Sequence, residues 1–527
     1  MERSWAPRHW PESHLTGITL IAAALMLATP LWCVWAPAMP DYPAHLASFA
    51  LIEAGSKGGA TGNAIYHLHW AFVPNLASEV LVPWLARLTG LVVATKLFLT
   101  AAIFLWVLGP GAVHRALYGR TGIAPLFGSF FAYNANFIWG FFNYYFSAGL
   151  SFAVFAAWIS TGKRNGAIRL ASFTLAVTLL YFCHVFAAAS LLMMMAGFEV
   201  AQNFRLENRD PAALVRRAAS VAVLYVPAGL AFLFLKPHGE GDEAVIFDLA
   251  DTMLDRFESL VQHAFDDSAY VLPIALFAGL GLALYLRKGR LHPAMWATLG
   301  LLLAGAVFAP EWAFGGWAVH LRLPAVFGAM LFASTELLMK PATRTALVAL
   351  ALVTIGWCAV TLAQSWLVYD RQFREFQAAL EEVPRGSRML TVLDGDAIGD
   401  RPDQPYWHMA EFAVPERGVF TPLLFTTKGQ HVVQLNPPYQ KYAAASAQQG
   451  SPPDVDELGF LARGQMDQDE DIQEDMPYLN HFQCHFDIAV VVHLDGKRTP
   501  VPPMLRLRHA GTFFSFYDIL PDRSCAR

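Results

Sequence analysis

Charge is what this sequence has least of. Asp, Glu, Lys and Arg make up 15% of its 527 residues, against about 25% in soluble domains. Hydrophobic residues make up 55% and gather in long runs, so the chain reads as an integral membrane protein. There is no basic tail, and the net charge is −5, which sets nucleic acid aside as a partner. Cysteine is scarce, at five residues, and no CxxC or zinc-like spacing occurs. No repeat of roughly 20–50 residues is present, which sets repeat architectures aside. The acidic stretch Asp467 to Asp475 lacks the glycine that an EF-hand loop needs, so it reads as a solvated loop.

Apolar runs predict about eleven membrane spans, near 15–37, 90–110, 122–139, 143–161, 167–185, 186–201, 218–236, 269–286, 293–310, 323–338 and 345–366. The run from 167 to 201 is too long for one upright helix and is split at His184. The first run, Leu15 to Ala36, exceeds the length of a signal-peptide core and reads as a retained helix. Basic residues sort by side. Arg115, Arg120, Lys163, Arg164, Arg169, Arg205, Arg209, Arg216, Arg217, Arg287, Lys288, Arg290, Lys340 and Arg344 fall on one side, with Arg3 and Arg8. The other side, before residue 367, has only Lys57, Arg87, Lys236, Arg256 and Arg322. The positive-inside rule then puts the N-terminus in the cytoplasm and the C-terminal region outside.

This topology divides the chain into a membrane domain, 1–366, and an extracytoplasmic domain, 367–527. The first outer loop, 38–89, is long and holds two amphipathic pieces, Asp41–Ala54 and Asn75–Leu88. A second outer loop, 237–268, is acidic. The C-terminal region reads as a small α/β domain. A helix at Asp370–Glu382 is followed by strand-like runs at Met389–Leu393, Val419–Phe425, His431–Leu435, Phe486–Val492 and Gly511–Tyr517. Cys33, Cys183 and Cys358 lie in apolar runs and read as packing residues. Cys484 and Cys525 lie in the polar region, where a disulfide between them stays open.

Asp41 stands at the exit of the first span, in Asp41-Tyr42-Pro43-Ala44-His45. A helix starting there puts Asp41 and His45 on one face. An N-cap explains an Asp at this place, and so does a catalytic base. In the same loop, His67 and His69 alternate as on a strand, and Glu79 lies on the second amphipathic piece. A solvated helix face accounts for Glu79, and headgroup or sugar contact for the histidines. Asn134, Asn136 and Asn143 sit among aromatic residues at an outer turn, where an interfacial belt explains the rings but not the amides. His320 and Arg322 lie at the outer end of a span. There Arg322 either snorkels to the interface or faces an anionic group. Lys96, inside a span, is a lesser candidate.

The long outer loop after the first span, with an acid at its start, resembles the GT-C superfamily of membrane glycosyltransferases. The resemblance covers the overall plan and the Asp41–His45 segment. It implies a polytopic helical fold with an extracytoplasmic domain. It also implies transfer of a sugar from a polyprenyl-phosphate carrier, with Asp41 as general base and Arg322 facing the departing phosphate. His45, His67, His69, Glu79, Asn134, Asn143 and His320 are then substrate-binding candidates. The acceptor implied is an envelope glycan, a lipid or a protein, and the setting the outer face of a bacterial inner membrane. No DxD occurs in the first loop, which leaves a divalent metal open. Two other classes stay in view: a lipid-linked glycan transporter and a non-catalytic assembly component. A transporter calls for paired broken helices and mid-membrane carboxylates, and the sequence has neither.

Overall fold

The computed structural model describes residues 10–56, 64–162, 166–204, 211–235, 245–249, 252–261, 271–395, 404–442, 452–462, 477–494, 496, 498–521 and 525. Lys57, the acidic stretch at 467–475 and much of the acidic loop 237–268 lie outside these residues. Among the described residues, seven helices are long and apolar enough to cross a membrane. They are Leu15–Cys33, Leu91–Tyr118, Phe142–Ser160, Gly166–Cys183, Val185–Phe204, Pro211–Phe234 and Pro341–Glu382. Val271–Tyr285, Trp296–Phe308 and Val319–Ala333 are shorter apolar helices. The long run after residue 166 breaks at His184.

The core pair is Leu91–Tyr118 against Phe142–Ser160. Glycine lets the two backbones approach: a Cβ on Gly149 would stand 2.8 Å from the Leu105 Cβ, and one on Gly109 2.8 Å from the Phe152 Cβ. The buried Trp106 indole bridges the pair by donating to the Tyr145 carbonyl at 2.8 Å.

The expected span at 122–139 is a broken crossing rather than one helix. Ala124–Gly128 and Ala135–Trp139 flank a 3-10 turn at Ser129–Ala132. Asn134 restarts the helix, its side-chain oxygen accepting the Asn136 amide at 2.9 Å. The segment is buried almost throughout, and irregular backbone is tolerated at membrane depth where protein surrounds it.

The two amphipathic pieces of the first loop are helices, Tyr42–Ser56 and Ala77–Thr89. The first does not lie with a wet face: nearly all of it is buried, partly under Met409–Phe412 of the C-terminal region. The second buries Ala77, Ser78, Glu79, Val82 and Ala86 and exposes Trp84 and Leu88, an apolar outer face suited to lipid.

The final membrane helix runs on without a break from Pro341 to Ala379, so the helix expected at Asp370–Glu382 is its continuation. Beyond it lies a four-stranded sheet. Met389–Asp394 pairs in parallel with Ile488–His493, which pairs antiparallel with Phe514–Ile519, and that strand pairs antiparallel with Leu505–Ala510. The first two strands are buried on both faces, as a covered parallel pair requires. Inside the sheet His493 bonds Asp394 at 2.6 Å and Ser515 at 3.0 Å. All three are buried, so this polar set holds neighbouring strands together. Val419–Phe425 is not a strand; it makes a single bridge, Arg388 to Phe420. Val433–Leu435 pairs apart from that sheet, antiparallel with Tyr66–Leu68 of the first loop. Cys484 and Cys525 are disulfide-bonded.

Candidate active site

The first loop, the turn at 139–144, the 311–322 segment and the C-terminal stretch 407–431 close around one cavity of about 160 Å³. Asp41 and Arg322 both line it. Asp41 is held from two sides. Its carbonyl accepts the His45 amide at 3.0 Å, which places it just before the Tyr42–Ser56 helix; its own amide donates to the Trp139 carbonyl at 3.0 Å. The Asp41 backbone is thereby fixed at the positive end of the Tyr42–Ser56 helix.

Arg322 sits among rings. Its guanidinium lies 5.1 Å from the centroids of Phe141, Tyr144 and Phe186, and one terminal nitrogen donates to the Trp317 carbonyl at 3.1 Å. Its Nε is buried with no hydrogen-bond partner. Burial pushes its pKa down to about 10, still far above neutrality, so the group stays cationic.

Burial raises the Asp41 carboxyl to about 6, while His408, His431 and Arg322 act to lower it. His408 is buried beside Glu411, Nδ1 to Oε1 3.8 Å. Both Glu411 carboxylate oxygens are buried without a hydrogen-bond partner, a costly state unless a cation stands near. Burial opposes protonation of His408, but Glu411 and Asp41 outweigh it and hold its pKa above the ordinary value. The His431 ring bonds Glu79 at 3.2 Å. Burial raises the Glu79 carboxyl and that hydrogen bond lowers it, with a net rise. Phe425 stands at the centre, its ring 5.3, 5.0 and 5.4 Å from those of His45, His408 and His431.

The candidates read from the sequence separate clearly. His45 lines the cavity but is stacked on Phe142 at 4.5 Å, and burial drives its pKa down to about 3, so it is neutral. Asn143 also lines the cavity. Its side chain accepts the Ser78 amide at 2.6 Å and donates to the Asn75 carbonyl at 2.9 Å, clamping the start of the second loop helix. Glu79 stands behind the wall, bonded to His431. Asn134 is a buried helix cap outside the lining. His320 is buried beside Arg322 in sequence but is outside the lining. His67 and His69 are on and just after the strand that pairs with Val433–Leu435, away from the cavity. Lys96 donates to the Val34 carbonyl at the end of the first span.

His408 and Trp407 had no place in the sequence reading, and His431 entered it only as the start of the strand-like run His431–Leu435. Their signal was present: histidines interleaved with aromatic residues between 406 and 431. Among the described residues, no group of three or more His, Cys, Asp or Glu is placed to hold a metal ion.

No protein-family model matches the chain, and no curated protein matches it. Among solved structures the chain is similar to ArnT from Cupriavidus metallidurans in the apo state, at 12% identity and a TM-score of 0.50, over 97% of this chain and 98% of that one. ArnT from the same organism bound to undecaprenyl phosphate gives 12% identity and 0.47 over the same shares. The mycobacterial arabinofuranosyltransferase AftD gives 17% and 0.44, over 100% of this chain and 42% of that one. At such identity the apo ArnT likeness speaks for architecture alone: the chain is a multi-pass membrane protein that shares the overall fold of that structure.

Proposed function

We propose that the protein is an inverting glycosyltransferase that moves a hexosyl or pentosyl group from a polyprenyl-phosphate carrier. The acceptor is a hydroxyl on an envelope glycan, a lipid or a protein, at the outer face of a bacterial inner membrane. The observation that carries this reading is that Asp41 and Arg322 line one cavity: a half-buried carboxyl with its pKa raised to about 6, and a buried cation with an unpartnered N–H.

The chemistry follows from these two groups. The acceptor oxygen attacks the anomeric carbon, and its proton passes to the Asp41 carboxylate. A new carbon–oxygen bond forms as the bond from the anomeric carbon to the phosphate oxygen breaks. The electron pair leaves with the polyprenyl phosphate, whose charge grows. Arg322 meets that charge with its free N–H, in a site where aromatic walls exclude water and strengthen the attraction. Attack on the face opposite the phosphate inverts the anomeric centre. Undecaprenyl phosphate, the lipid bound by ArnT, is the probe for this site.

The test is purified protein in lipid with a polyprenyl-phosphate sugar and a mixed acceptor pool. Asp41→Asn should abolish transfer while leaving polyprenyl phosphate bound; full activity in that variant sinks the assignment of the base. Arg322→Lys keeps the charge but not the planar fork and should weaken binding of the lipid phosphate roughly tenfold or more. Unchanged binding in that variant removes Arg322 from the phosphate site.

A further inference from the structure

One wall of the cavity is neither cationic nor acidic. Trp139, Trp317 and Trp407 come from three separate stretches of chain and all line it. The Trp139 centroid is 5.1 Å from that of Trp317, with planes at 72°, and 5.8 Å from that of Trp407, at 68°. Each ring is partly exposed, so together they form a corner of aromatic faces open to the cavity. A lipid-interface belt does not account for a corner turned into an internal cavity beside a carboxylate.

The corner is tied by backbone to both charged groups. The Trp139 carbonyl accepts the Asp41 amide at 3.0 Å. The Trp317 carbonyl accepts from the Arg322 guanidinium at 3.1 Å. A group lying on Trp139 and Trp317 is thus placed between base and cation, which is where the transferred sugar of a phosphate-linked donor must lie. Sugar rings present patches of C–H that aromatic faces cover, while their hydroxyls need polar partners at the rim. Thr427, Gln430 and His431 supply such partners around the same cavity.

Charge narrows the ligand further. Asp41 is the one carboxylate among the lining residues, against the Arg322 guanidinium and the imidazole of His408. A sugar bearing an ammonium would be repelled there and would compete for the base. We infer that the Trp139–Trp317–Trp407 corner is the subsite for the transferred sugar, and that this sugar is uncharged. The inference rests on the transferase reading above and adds the site and charge class of the sugar.

The experiment compares binding of undecaprenyl phosphate with that of undecaprenyl phosphates bearing a neutral hexose, a neutral pentose or an amino sugar. The wild type should bind at least one neutral-sugar lipid about tenfold more tightly than the sugar-free lipid and should transfer it faster than the amino sugar. Trp317→Ala should lose that tenfold difference while its affinity for sugar-free lipid stays unchanged. Trp317→Phe should keep most of it. An equal loss toward all lipids in Trp317→Ala, or faster transfer of the amino sugar, overturns the inference. If the wild type binds the sugar lipids preferentially but transfers nothing to any acceptor, it is the transferase reading that falls, not the subsite.

Discussion

The amide of Asp41 and the carbonyl of Trp139 share a 3.0 Å hydrogen bond that fixes the proposed base to the end of a broken membrane crossing. The next residue, Gly140, has φ of +93°, a conformation that side chains disfavour by roughly 1 kcal/mol or more. A Cβ there would lie 3.1 Å from the Asp41 Cβ and 3.4 Å from that of Met39. Gly140→Ala should therefore displace Asp41. Turnover should fall tenfold or more, since a small misplacement of a reacting group is costly, while undecaprenyl phosphate binds within about twofold of the wild type. Turnover equal to the wild type would show that the base does not depend on this contact.

Asp41 should lower the stability of the fold. Its pKa rises from 3.8 to about 6, so the folded protein holds this proton more tightly than the unfolded chain. The folded state then gains as pH falls through 6 toward 3.8, and loses that gain above 6, where the half-buried carboxylate is charged. A shift of this size is on the order of 3 kcal/mol at neutral pH. Asp41→Asn removes the charge, so its thermal midpoint at pH 7.5 should be equal to or above that of the wild type, although activity is gone. The difference should shrink at pH 5. A large drop in the midpoint would mark the residue as a structural cap.

The histidine from the C-terminal region sets the working pH. Activity needs ionised Asp41, so the acid limb of kcat should fall near pH 6. His408 is buried between Glu411 and Asp41 and its pKa is raised. In its cationic form it favours the Asp41 carboxylate, with His431 and Arg322 acting the same way. His408→Gln should move the acid limb of the kcat profile upward, by an amount larger than the scatter between repeats. Glu411→Gln, which removes the group that raises the His408 pKa, should shift it in the same direction. A limb that stays in place in both variants would exclude His408 as a positioning group for Asp41.

The sequence disclosed the membrane plan because hydrophobic run length is a one-dimensional property, as in Leu91–Tyr118 and the split at His184. It disclosed Asp41 because a charge after an apolar run is conspicuous. It did not disclose the break at 122–139, since Ala124–Trp139 is as apolar as a span and only burial by neighbours permits the irregular turn. Nor did it reveal the pairing of Tyr66–Leu68 with Val433–Leu435. That contact joins residues far apart in the chain, and each strand is too short for period-2 alternation to register. The same long-range closure brings His408 and His431 to Asp41.

Asp370 shows how one acid supports both sides of the site. One carboxylate oxygen accepts the Trp35 and Ala36 amides, at 2.5 and 3.2 Å, just past the end of the first span. The other accepts from Arg374 at 2.8 Å. The Trp35 ring then packs on Phe412 at 5.3 Å, as does Phe373, and Phe412 ends the turn that follows His408. Asp370→Ala would leave two backbone N–H groups near the core without an acceptor, at about 1–3 kcal/mol each. It would also loosen the start of the Asp41 loop and the His408 turn together. The thermal midpoint should drop and turnover should fall with it. Asp370→Asn keeps an acceptor for the two amides but loses the charge toward Arg374, an exposed partner whose ion pair adds little. The Asn variant should therefore recover most of the stability and most of the activity. Equal damage from Ala and Asn would mean that the ion pair, not the capping of Trp35 and Ala36, holds the loop.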